Sequence, residues 1–243
     1  MKMRYLGAVC AGLWIVAPVA GAGAFDLTKL NQTGFKGLSE DLSSALSYKA
    51  LAPAEPLGIT GFDISAEVSF VQLANSGEFA KVLGVSSIPS LPIPKVHLHK
   101  GLPFGLDVAA VYMPKVKEIS YWGGELRYAI LSGNVAMPAI GLRGAYTQLT
   151  GVPVLDTTTK SVELGISKGF LMLTPYASLG MVWSTSTPKG IAATAPVSLK
   201  EESVSQMKTS VGLNINLGLM NFAGEWDKTG KSNSYSAKFG FRW

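Results

Sequence analysis

The chain has 243 residues, a formal net charge of +5, and 15% charged against 47% hydrophobic residues. No Lys/Arg cluster is present, so nucleic acid is not an expected partner. The single cysteine, Cys10, excludes a disulfide framework, and beyond the first 24 residues no run of about 18 uninterrupted apolar residues makes a transmembrane helix.

The chain opens MKMRYLGAVCAGLWIVAPVAGAGA. Lys2 and Arg4 form a basic head, Tyr5 to Val19 an apolar core, and Ala22-Gly23-Ala24 a small-residue cleavage site. This pattern predicts a secretory signal peptide over 1–24, cut after Ala24. Cleavage removes Cys10, Lys2 and Arg4, which lowers the net charge from +5 to +3.

Residues 25–57 differ from the rest. In FKGLSEDLSSALSYK, Phe35, Leu38, Leu42 and Leu46 recur at the spacing of an amphipathic helix. Pro53 and Pro56 end it. The segment reads either as a periplasmic tail or as a short plug helix, and both placements stay open.

From residue 58 to 243 the period is two. Phe62, Ile64, Ala66, Val68 and Phe70 share one face; Asp63, Ser65, Glu67 and Ser69 share the other. Ten such runs are predicted, at roughly 59–73, 94–101, 104–114, 118–131, 136–149, 157–168, 171–186, 203–217, 220–228 and 232–243, with ends good to about two to four residues. Even-numbered connections are short, and the longest odd ones cover 74–93 and 187–202. Membrane-spanning barrels share this asymmetry and an even strand count, so the fold class expected is an all-β, antiparallel up-and-down transmembrane barrel of about ten strands. Pro175, inside the seventh run, cannot donate to a ladder and calls for a bulge or a break there, which leaves eight or twelve strands open.

A soluble barrel would also alternate, with its apolar face inward. Here the runs are longer than the usual five or six residues or so. Aromatics on the apolar face gather toward both strand ends, as Phe62, Tyr128 and Phe222 do at one end and Tyr112, Trp122 and Trp183 toward the other. Two aromatic belts match the two interfaces of a bilayer.

The last strand, SNSYSAKFGFRW, puts Tyr235, Phe239, Phe241 and the terminal Trp243 on one face. In this it resembles bacterial outer-membrane β-barrel proteins, whose terminal aromatic strand is the signal read by the insertion machinery. The resemblance implies a bacterial outer-membrane location, with outer-membrane lipids and the barrel assembly machinery as partners. It matches no subfamily, so no functional residue is carried over.

Strand parity turns Glu67, His97, His99, Asp107, Glu125, Arg127, Arg143, Glu163, Lys208, Glu225, Lys238 and Arg242 into lumen-lining candidates. A charge on the lipid face would cost about 2–4 kcal/mol for Arg or Lys at the midplane, which gives this segregation its meaning. About ten strands enclose little space. The function expected is a narrow or gated pathway for small solutes or ions; the alternative is a non-conducting structural barrel with a side-chain-filled lumen. A membrane-barrel hydrolase is less favoured. His97 and His99 sit about 7 Å apart on one strand face, but no HExxH, GxSxG or cysteine cluster accompanies them. Neither a catalytic residue, a metal nor a cofactor is therefore assigned.

Overall fold

The computed structural model describes residues 25–243 except 89, 117 and 191–197. The predicted signal peptide lies outside the described residues.

Ten antiparallel strands close into one barrel. They are β1 (Phe62–Gln72), β2 (Leu91–Gly101), β3 (Leu106–Val116), β4 (Ile119–Leu131), β5 (Ala139–Thr150), β6 (Leu155–Ser167), β7 (Leu173–Pro188), β8 (Glu202–Leu217), β9 (Met220–Thr229) and β10 (Ser232–Arg242). Among the described residues two α-helices accompany them: α1 (Gln32–Leu46) and α2 (Ser76–Leu83). Closure is made by β1 and β10, in a register that sets Glu67 opposite Lys238 and Val68 opposite Ala237. The terminal residue takes part: Phe62 N–H donates to the Trp243 carbonyl (2.8 Å), and Trp243 N–H donates back to Phe62 (3.0 Å). The chain end is thus a paired strand end.

Exposure identifies the solvent of each face. Outward side chains are apolar and open: Leu126 is 54% exposed, Phe239 45% and Trp183 45%. Inward side chains are polar and buried: Glu163 is 1% exposed and Lys208 0%. A soluble barrel buries its apolar residues; this one reverses the pattern, as a barrel in lipid must.

The strand count settles at ten because Pro175 interrupts nothing. Its carbonyl accepts from Lys168 N–H (3.1 Å). In a strand the N–H and C=O of one residue point the same way, so the donor it lacks faces β6, whose ladder with β7 ends at Ser167 opposite Tyr176. The ladder to β8 continues through Pro175 opposite Leu213. Proline is tolerated where no partner strand waits.

Three local features differ from the sequence reading. The connection 74–93 is not all loop. Asn75 precedes α2, Phe79, Val82 and Leu83 form its buried stripe, and Gly84 closes it in the left-handed conformation (φ +67°) with Val85 N–H returning to Ala80 (3.0 Å). β2 begins earlier than expected, at Leu91. The link between β4 and β5 spans 132–138 and is longer than the two-residue β3–β4 link. Length asymmetry therefore rests on the β1–β2 and β7–β8 connections, which define the loop end of the barrel; Phe62 and Trp243 define the turn end.

Residues 25–57 run through the barrel from one end to the other. Asp26 N–H bonds Val82 at the loop end (3.1 Å). Gln32, at the head of α1, exchanges bonds with the Lys200 backbone beside β8 (3.1 and 2.9 Å). Leu57 N–H reaches Asp107 near the turn end (3.2 Å). Residue 25 thus lies at the end opposite Trp243.

The orientation expected of such barrels, short turns toward the periplasm, predicts a labelling pattern in intact cells. A cysteine replacing exposed Lys189 reacts with an impermeant maleimide, and one replacing exposed Ser132 reacts only after lysis. The reverse pattern would invert the orientation.

Candidate functional site

The lumen divides into two chemically distinct halves. Toward the loop end it holds an apolar cluster: Leu27, Phe35, Leu38 and Leu42 from the N-terminal segment meet Phe79 and Val82 of α2 and Val71, Ile93 and Leu149 of the wall. Toward the turn end it is filled with charge. Helix α1 suits both halves because its apolar stripe packs upward while the extended chain after Leu46 offers backbone groups to the charges below.

The charged side chains pair across strands. Lys95 meets Glu67 at 2.6 Å, Arg127 meets Asp107 at 3.1 Å, and Glu163 takes Arg143 at 2.8 Å and Lys208 at 3.0 Å. Asp63 takes Lys238 at 3.0 Å and Arg242 at 2.9 Å. All but Arg242 are buried; it sits at the turn-end mouth with 17% of its side chain exposed. Such pairing is required because an unpaired ion in a low-dielectric interior carries a large desolvation cost.

The N-terminal segment completes this network. Lys49, fully buried, donates to Asp227 at 2.7 Å and to Ser47 and Ser234 hydroxyls. Lys208 Nζ donates to the Tyr48 carbonyl at 2.5 Å, and Arg127 donates to the Pro53 carbonyl. Thr147 Oγ1 donates to the Leu46 carbonyl (2.8 Å), and Ala54 N–H donates to Ser167 Oγ (3.0 Å). At the top, Asp41 accepts from Ala74 and Asn75 N–H (3.0 and 2.9 Å) and from Ser232. Burial pushes the Asp41 carboxyl above its ordinary value, and those hydrogen bonds work against that rise.

The histidines are engaged. His97 Nε2 lies 2.7 Å from the Tyr48 hydroxyl, and His99 Nε2 lies 2.5 Å from Arg127 Nη2. Their rings stack at 6.2 Å. No group of three metal-ligating side chains occurs among the described residues. Glu125 and Glu225 also face inward, 6% and 4% exposed; neither Glu225 carboxylate oxygen has a hydrogen-bond partner among the described residues.

The terminal aromatics take the other face. Tyr235, Phe239, Phe241 and Trp243 point outward and are about half exposed. Phe239 sits 4.9 Å from Phe222 and 5.8 Å from Phe241, ring to ring, and Trp243 sits 5.1 Å from Phe62. Phe62, Phe222, Phe239, Phe241 and Trp243 thus gather at the turn end, whereas Tyr235, opposite Phe70 and Trp226, lies toward the loop end.

A family model covers residues 30–243, the wall and nearly all of the segment inside it. The chain belongs to the family of unknown function DUF6588. Search of the curated proteins gives no match. Solved structures that resemble this DUF6588 chain are outer-membrane β-barrels. The N-terminal barrel domain of Pseudomonas aeruginosa OprF aligns at 12% identity, over 74% of this chain and 97% of that one, with a TM-score of 0.37. Ail, the attachment invasion locus protein of Yersinia pestis, aligns at 12% identity over 78% and 99%, with a TM-score of 0.28. The KdgM porin aligns at 8% identity over 74% and 98%, with a TM-score of 0.34. These are likenesses of fold.

Sequence reasoning did not single out Lys49, Tyr48 and Asp41 as partners of the wall. Parity, which sorts strand residues, says nothing about an irregular segment. For Asp41 one signal was available: at helical spacing it flanks the stripe of Leu38 and Leu42, whereas Lys36 and Glu40 fall on the opposite face.

Replacing Lys49 with Met leaves Asp227 buried without its cation and should cost about 3–5 kcal/mol. The check is the urea midpoint of the refolded protein in detergent micelles. Adding Asp227→Leu should recover much of the loss, since removing both charges also removes the desolvation term.

Proposed function

We propose that this chain works in the outer membrane as a self-plugged barrel, closed to solutes while residues 25–57 occupy its lumen. The observation that carries this reading is the buried Lys49–Asp227 pair at 2.7 Å, which ties the inner segment to the wall at the polar half of the lumen. Around it, wall cations bond the backbone of the same segment at Tyr48 and Pro53. A solute pathway, on this reading, opens only when the segment withdraws, and the paired charges then become the lining of a narrow polar channel. Charge pairs whose partners sit on two separable parts are suited to gating, because each half can rehydrate when the parts move apart.

The enzyme alternative has no observation in its favour: His97 and His99, the best candidates for it, are held by Tyr48 and Arg127. The C-terminal aromatic strand supports delivery by the barrel assembly machinery. Its side chains face lipid and its backbone closes the barrel, so the signal and the final seam coincide.

Planar-bilayer recording tests the plug. The folded wild-type protein is expected to give no discrete openings, and the variant lacking 25–57 to give stepwise conductance. Frequent openings of the wild type with the segment intact would overturn the closed-at-rest reading.

A further inference from the structure

An apolar cavity of about 120 Å³ lies at the loop end, between the inner helices and the wall at β2, β3, β4 and β5. Leu46 and Phe79 form its inner side; Ile93, Met113, Tyr121 and Leu149 form its wall. It contrasts with the charged lumen below, and Lys95, over the Tyr121 ring at 5.8 Å, marks the boundary. A cavity lined by aliphatic and aromatic groups stays dry and takes hydrocarbon ligands.

The wall beside this cavity is unzipped. The β2–β3 ladder runs from Gly101 opposite Asp107 to Val96 opposite Tyr112 and stops. Above that point β2 continues along β1 alone as far as Leu91, and β3 continues along β4. The sequence explains why. Leu102 N–H donates to Leu106 across the β2–β3 side, and Gly101 N–H donates to Gly61 on the β1 side. Amides alternate along a strand, so even-numbered positions of β2 address β3. Pro92 and Pro94 occupy the next two even positions past the end of the ladder, and the register extended by one bonded pair sets Pro94 opposite Pro114. All three missing donors fall on this one seam, while the β1–β2 ladder passes through both Pro92 and Pro94. The gap begins at Tyr112, in the aromatic belt of the loop end; beside a membrane an open strand edge with free N–H groups is costly, and proline at these positions removes donors that a gap would strand.

The gap reaches the cavity. Leu91, Pro94, Met113 and Val116 line the cavity and are themselves partly exposed. Immediately below them Val96 (42% exposed) and Tyr112 (48% exposed) face outward with the lipid-facing side chains.

We propose that the β2–β3 gap is a lateral port through which the end of a single acyl chain passes from the membrane into this cavity. The ligand class is an unbranched hydrocarbon chain, supplied by a membrane phospholipid or by a free fatty acid. The port goes beyond the plug reading: it needs no movement of residues 47–57 and no conduction through the polar half.

Photo-crosslinking tests it on the full-length folded protein in lipid nanodiscs. Two probes carry a diazirine at the chain end, one a fatty acid and the other a phosphatidylcholine. The expected result is an adduct on buried cavity residues, Leu46 or Leu149, from at least one probe; the probe that gives it identifies the source. Leu149→Trp, which fills the cavity, should abolish that adduct while outward adducts at Val96 and Tyr112 persist. Pro94→Val with Pro114→Val restores the donors and should reduce the inner adduct alone. Heat-modifiable gel migration confirms that each variant is folded. Adducts confined to outward-facing residues with both probes, or an inner adduct unchanged by Leu149→Trp, would overturn the port.

Discussion

The need to pair the charges enclosed in a narrow barrel governs this structure, with Glu125 and Glu225 the buried strand carboxylates that stand outside the ion pairs of the described residues. Lipid outside forces the apolar parity outward, so the polar parity meets at the axis. Ten strands leave too little room there for bulk water to solvate it. Lys208 and Glu163 therefore bond each other across the wall, and Lys208 takes a further acceptor from the backbone of the inner segment. Lys49 in turn requires Asp227. The wall and the segment inside it are each electrically incomplete without the other.

The same constraint explains the two-part lumen. Most charged strand residues lie toward the turn end or at mid-height, with Asp227 nearer the loop end of β9, and they meet the chain after Leu46, which is extended and whose carbonyls are free to accept. In the loop-end half, α1 satisfies its own backbone and turns leucines toward β1, β2 and β5, where Val71, Ile93 and Leu149 make the wall apolar as well, while β6 to β10 present hydroxyls such as Thr157, Ser186 and Ser232. An apolar lining can tolerate a gap in the ladder beside lipid, whereas a charged one could not. The proline-broken seam accordingly opens onto the apolar half.

Much of the fold was legible because alternation is a strong signal over long strands. The charge segregation of Glu163, Arg143 and Lys208 follows directly from parity, and so does the outward placement of Phe239, Phe241 and Trp243. Pro175 shows where that reasoning stops. A proline reads as a break unless the end of the neighbouring strand is known, and strand ends are set by pairing rather than by local pattern. Helix α2 was hidden for a different reason: its short stripe, Phe79, Val82 and Leu83, sits between strands where a loop is the default. The contacts of Tyr48, Lys49 and Pro53 with the wall are long-range contacts of an irregular chain, and no periodicity encodes them.

The central claim is that the N-terminal segment occupies the lumen of the membrane-embedded barrel. Ala54 provides a direct measurement, because its Cβ lies 3.8 Å from where a Cβ on Gly165 of β6 would sit, the separation typical of a disulfide. With Cys10 in the predicted signal peptide, Ala54→Cys with Gly165→Cys supplies the only thiol pair in the processed chain. Exported into an oxidising periplasm, the double variant should form that bond spontaneously, read as a reducible shift in gel mobility and as loss of maleimide labelling. Two free, fully alkylated thiols in a barrel that is otherwise folded would contradict the account.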